Sequence, residues 1–128
     1  MTDYTKTQLT DVKDMAPDYD MSATLESRFA TKPLALEQLG LSYQCIKPGQ
    51  RLPFSHHHEQ QEELYIVQRG SGFLELDGER VPVAELDAVR VAAKVERTAE
   101  AGPEGLDLFA IGAPAVSGGT NDAVLPTS

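Results

Sequence analysis

A chain of 128 residues is enough for one compact hydrophobic core and too short for two ordinary ones. Its formal net charge of −9 argues against nucleic acid and anionic membranes as partners, because phosphate recognition needs a basic footprint and no Lys/Arg cluster here exceeds two. Hydrophobic residues at 41% and charged residues at 24% are ordinary for a soluble globular protein.

In chain order, residues 1 to about 25 are polar and acidic, with only a weak Leu9, Val12, Met15 periodicity. Residues 1–30 therefore read as an N-terminal arm or edge segment that orders against the main body or a second subunit. Within it MTDYTKTQLTDVKDM lacks an apolar core and a cleavage site, and no apolar run in the chain approaches the about eighteen residues of a membrane span. The expected location is the cytoplasm, and the single cysteine, Cys45, fits a reducing compartment and reads as a small buried hydrophobe. A short helical turn is expected between Glu26 and Gln38, limited by Pro33.

Short β segments follow at close spacing, at 39–46, 51–58, 64–68, 72–76, 80–83, 88–92, 95–99 and 106–111. Such a run, punctuated by prolines and without a sustained helical period, indicates an all-β antiparallel barrel or sandwich. Asp77-Gly78 is a strong hairpin signal, and Gly70-Ser71-Gly72 can reverse the chain tightly. From about 113 the chain, rich in Gly, Pro, Ser and Thr, reads as a flexible C-terminal tail, leaving 31–112 as the barrel.

The chemistry concentrates in SHHHEQQEELYIVQRGSGF, residues 55–73, which contains all three histidines. On a strand, side chains two apart share a face, so His56 and His58 project together while His57 points away. On the next strand Glu63, Tyr65 and Val67 share one face. A hairpin would bring Glu63 beside His56 and His58, giving the donor set of a divalent Fe, Mn, Ni, Zn or Co site with open positions. Glu59 and Glu62 read as solvated loop acids, the latter having the wrong parity.

The spacing Gly49, His56-x-His58, four residues, Glu63, six residues, Gly70 resembles the first signature motif of the cupin superfamily, departing by one extra residue between Gly49 and His56. The likeness continues through PGQRLPFSHHHEQQEELYIVQRGSGFLELDGE and can be followed over residues 39–112. It implies a single-domain β-barrel of jelly-roll type, commonly a homodimer, with a metal or small-molecule ligand in its wide end. His56, His58 and Glu63 match the first three metal ligands of that family, and Gly70 its turn glycine.

The family's second motif supplies a fourth ligand, a histidine. Here LDAVRVAAKVERTAEAG, residues 86–102, keeps Asp87 at the aspartate position, has Leu86 in place of the motif's first glycine, and places Arg97 where the histidine would be. A guanidinium has no lone pair to give a metal. A divalent ion about 5 Å from it would be repelled by roughly 7 kcal/mol at an effective dielectric near 20.

Three arrangements follow. Arg97 pairs with Glu63 and fills a metal-free pocket; or His56, His58 and Glu63 hold a metal while Arg97 anchors an anionic ligand; or a bulge turns Glu96 inward as fourth ligand. Tyr43, a candidate proton donor, and Tyr65 are the further residues expected to face the ligand, with Phe54 as pocket wall and Lys94 exposed. The functions consistent with this pattern are a metal-dependent enzyme on a small organic acid or sugar derivative, a metal-free small-molecule binder, and a dimeric structural protein.

Overall fold

The computed structural model describes residues 2–115 and 122–125. Among them eight strands form: β1 Leu25–Phe29, β2 Gly40–Ile46, β3 His57–His58, β4 Glu62–Leu76, β5 Glu79–Ala84, β6 Ala88–Val91, β7 Arg97–Ala113 and β8 Ala123–Val124. The fold is all-β and antiparallel. One sheet runs β1-β2-β7-β4-β5 with β6 also on β4, and β3 pairs with β8. No helix among the described residues is long and apolar enough to cross a membrane.

The frame is built on β4 and β7, which pair along nearly their whole length, from Glu62 with Ala113 to Leu76 with Arg97. Their first pairing half also meets β2 and β6, and their second meets β5, so one bent ribbon contributes to both walls of the barrel. The bend is a pair of register shifts, between Val67 and Arg69 and between Gly70 and Gly72. Side-chain parity switches there. Tyr65 and Val67 are buried before the bend and Gly72 and Leu74 after it, while on β7 Ala99 and Ala101 give way to Leu106, Leu108 and Ala110. An added residue inverts the facing of everything beyond it, so shifts in both strands keep one continuous apolar interior.

Gly70-Ser71-Gly72 therefore does not reverse the chain, as the sequence suggests; it lets β4 bend against β7. A Cβ on Gly70 would lie 2.0 Å from the Gly105 carbonyl oxygen, and one on Gly72 2.2 Å from that of Glu100. Glycine is required by this close approach. The Asp77-Gly78 hairpin forms as expected, with φ of 50° and 85°, the double positive φ of a tight two-residue turn.

Two other expectations are corrected. Glu26 lies in β1, whose alternate residues Leu25 and Ser27 are buried, so the short turn expected between Glu26 and Gln38 forms only over 31–35, where the Leu34 amide donates to the Ala30 carbonyl at 3.0 Å. The expected strand at 51–58 is regular only at His57–His58. Before that it follows β7 through single bridges, Arg51 with Glu100 and His56 with Arg97, as Pro53 interrupts the ladder.

The N-terminal segment packs against β1. Asp14 accepts from the Ser27 and Ala16 amides, and Val12 and Ala16 are buried. Of the tail, 116–121 and 126–128 lie outside the described residues, while Asp122 and β8 dock on the histidine segment.

Candidate metal and ligand site

The site arises where β3 meets β4 and the start of β7. Reciprocal backbone hydrogen bonds between His56 and Arg97, of 3.0 and 2.7 Å, fix the histidine segment beside β7. The His58 amide donates to the Ala93 carbonyl at 2.8 Å. Parity then acts as expected. His56, His58 and Glu63 bring their ligand atoms within 4.8 Å of one another, the imidazoles of 56 and 58 meeting edge to face with centroids 5.0 Å apart.

His57 points away and pairs through Nδ1 with Glu96 Oε1 at 2.9 Å. That contact holds Glu96 outside the cluster, so the arrangement with Glu96 as fourth ligand does not form.

Arg97 does enter the cluster. Its side chain is 3% exposed, and Nη1 donates to Glu63 Oε1 at 3.0 Å. Its Nη2 donates to the carbonyls of Ala92, Ala93 and Val95, and Nε also to Val95, at 2.8–3.1 Å. The guanidinium is thus held by the protein itself: it closes the turn before β7 and ion-pairs with Glu63, rather than reaching for a ligand. Tyr65, buried, donates its hydroxyl to the same Glu63 oxygen. Tyr43 is not in the site. By register it stands opposite Phe109, which stands opposite Ile66, on the outer face of the sheet, where its ring stacks on Phe109 and its hydroxyl donates to Gln68.

His58 is the most constrained member, at 1% exposure. Nδ1 lies 2.9 Å from Asp122 Oδ1, and a carboxylate can only accept, so Nδ1 carries the proton. Nε2 faces the cluster 3.3 Å from Glu63 Oε1, near enough for ionic attraction but without the alignment of a hydrogen bond, and has no hydrogen-bond partner. Asp122 was not foreseen: it lies in a Gly- and Ser-rich stretch with no periodicity to flag it. Gln61, also missed, is buried, donates to the Pro114 carbonyl, and lies beside Gly112, where a Cβ would touch its amide group.

Burial pushes the His56 ring down to about 4, against the partial opposition of Glu63, so it is neutral near pH 7. For His58 burial works in the same direction but is overcome by Glu63 and Asp122, and its value is raised. Burial would raise Glu63, yet His58, Tyr65 and Arg97 together hold its carboxyl low. Tyr65, buried beside Glu63, keeps its proton well beyond the ordinary phenol range.

A cavity of about 690 Å³ has Glu63 and Gln61 among its lining residues. Ser42, Ala110 and Gly112 line it too, while Val12, Met15 and Phe29 form part of its wall and Lys13 and Lys32 add charge.

Residues 42–111 match the cupin domain family model, which covers more than half of the chain. The chain belongs to the cupin family. Among solved structures this cupin is similar to a cupin protein from Bacteroides fragilis, with TM-score 0.73 and 25% identity over 99% of this chain and 100% of the other. It is also similar to Pac13 of Streptomyces, described as a nucleoside dehydratase, with TM-score 0.72 and 14% identity over 98% and 92%. A sugar phosphate isomerase from Silicibacter pomeroyi shares TM-score 0.67 and 18% identity over 84% and 74%. The last two likenesses concern the fold alone. No curated protein matches the chain.

Proposed function

We propose that this cupin holds a divalent transition metal through His56, His58 and Glu63 and binds a small polar molecule, an organic acid or sugar derivative, in the cavity that Glu63 helps to line. The observation that carries this reading is the orientation of His58. Its outer nitrogen is committed to Asp122, and its inner nitrogen is buried, directed at Glu63 and without a hydrogen-bond partner, so that in the neutral ring its lone pair is free to coordinate. A bare buried nitrogen is otherwise costly. The donor set of two imidazoles and a carboxylate suits Fe, Mn, Co, Ni or Zn, and such an ion would supply Lewis acidity beside Glu63, the one ligand residue that also lines the cavity.

The protein's own groups support binding of a small molecule. Ser42, Gln61 and Glu63 offer polar contacts along the cavity. His56, neutral near pH 7, keeps a lone pair available for coordination, and Tyr65 keeps the Glu63 oxygen it bonds to fixed.

The test is metal content and calorimetric titration with Mn, Co, Ni and Zn salts. We expect about one equivalent per chain, lost in His58→Ala and bound more tightly in Arg97→His, where a repelling cation becomes a donor. A wild-type protein that takes up none of these ions overturns the reading.

One observation favours a second reading. The 3.0 Å Arg97–Glu63 ion pair already satisfies the carboxylate, and a metal-free pocket would retain ligand binding in the presence of chelator. The expected homodimer also remains our proposal, supported by the outer sheet face, where Tyr43, Phe109, Ile66, Leu64 and Ile111 share one surface. Light scattering should give twice the 13.9 kDa chain mass, and Tyr43→Glu a monomer.

A further inference from the structure

Asp122 is far from the histidine motif in sequence and takes no part in the cavity lining, yet its three oxygens all contact the segment that carries His58. Oδ1 meets His58 Nδ1 at 2.9 Å, Oδ2 accepts from the amides of Gln60 at 2.5 Å and Gln61 at 3.2 Å, and its carbonyl accepts from the Glu59 amide at 3.3 Å. Its side chain is 13% exposed. The next two residues, Ala123 and Val124, pair as β8 with His58 and His57. Ring, loop and strand are therefore held together by one short segment.

We propose that Asp122 is a positioning residue for the site: by accepting the Nδ1 proton of His58 and capping the turn that follows, it fixes the ring's orientation and tautomer so that the Nε2 lone pair faces Glu63.

The physical case rests on what the imidazole would do alone. A neutral histidine can protonate either nitrogen, and the hydrogen bond made by one decides which electron pair the other presents. With Nδ1–H donated to a carboxylate, Nε2 is a bare acceptor. With the carboxylate gone, a proton on Nε2 could instead be donated to Glu63, 3.3 Å away, and the nitrogen would be closed to any other partner. A carboxylate behind a ligating imidazole also raises its basicity, and loss of such a partner typically weakens metal binding about 10–100-fold. Glu96 stands in the same relation to His57, but that ring points out of the cluster, so of these two His–carboxylate pairs only the one made by Asp122 bears on the site.

This inference rests on the metal reading for its functional meaning but not for its test. In metal-free protein, above the pH at which His58 loses its charge, nitrogen-15 NMR of the imidazoles should show His58 as the Nδ1–H tautomer in wild type. Asp122→Ala should convert it to Nε2–H, and Asp122→Asn, which keeps an acceptor oxygen, should restore Nδ1–H. Cobalt titration should show affinity about 10–100-fold lower in Asp122→Ala and partly recovered in Asp122→Asn.

If Asp122→Ala retains the Nδ1–H tautomer, or binds cobalt within about twofold of wild type, the assignment is wrong. Should wild type bind no cobalt, the metal reading fails and the tautomer measurement alone decides the role of Asp122. If Asp122→Ala does not fold, Asp122→Ser, whose hydroxyl is too short to reach the ring, carries the same readouts.

Discussion

Glu63 Oε1 accepts hydrogen bonds from Tyr65 and from Arg97 Nη1 and lies 3.3 Å from His58 Nε2, so one carboxylate oxygen organises every buried polar side chain of the cluster. Removing it strands a guanidinium whose remaining contacts are neutral carbonyls. Breaking a buried pair from one side costs about 3–5 kcal/mol, and the carbonyl cage around Arg97 places Glu63→Ala at about 3. Urea denaturation with chelator present should show that loss. A variant that unfolds at the wild-type midpoint would mean that the ion pair is solvated. At this scale much was legible in advance: strand parity alone groups His56, His58 and Glu63, and alignment with the second motif points to Arg97. Parity could not predict that Tyr43 lies outside, because the facing of β2 depends on its register with β7. Nor could any local pattern reveal Asp122, whose role exists only through contact with a residue 64 positions away.

Among the elements, β4 and β7 carry the architecture, and their glycines carry the bend. The sequence reads each as two strands broken by glycine, since glycine is usually punctuation. In the fold the break is a bulge that both strands share, and the close passage of Gly70 over the Gly105 carbonyl, with φ of 86°, makes continuation possible. Gly70→Ala combines a left-handed backbone with a backbone clash. It should cost more than the about 1–2 kcal/mol of the backbone penalty alone, measured by thermal or chemical unfolding, while Gly78→Ala, with open space around it, should cost only that penalty. Equal losses at the two positions would show that the close approach is not tight. Leu86, which replaces the second motif's glycine, holds φ of 70° at an exposed turn, so the geometry that glycine normally serves survives its replacement, at a cost in strain.

For the molecule as a whole, the two clustered histidines set opposing pH dependences of stability. The folded His58 binds its proton more tightly than the ordinary value of 6.5, so its contribution is full below pH 6.5 and is lost as pH rises through the folded value. His56 is shifted down to about 4, so below pH 6.5 the unfolded chain takes up that proton first and stability falls toward about pH 4. Glu63 and Asp122, both held below their ordinary 4.5 and 3.8, add a further loss in stronger acid as they are protonated. Chelator-treated protein should therefore have its highest melting temperature near pH 6.5, with His58→Ala flattening the alkaline limb and His56→Ala the limb between about pH 6.5 and 4. A maximum displaced well to either side would mean that one of the two rings is not in the environment described.

The contact between His58 and Asp122 also imposes an order of events on biosynthesis. A chain is made from its amino end, so the histidine hairpin is translated well before the carboxylate that steadies it. At about 5–20 residues per second, the 64 residues between them take roughly 3–13 s. During that interval the nascent polypeptide has its imidazoles and Glu63 but lacks the carboxylate partner of His58, so the ring takes its final orientation only after translation has passed Asp122.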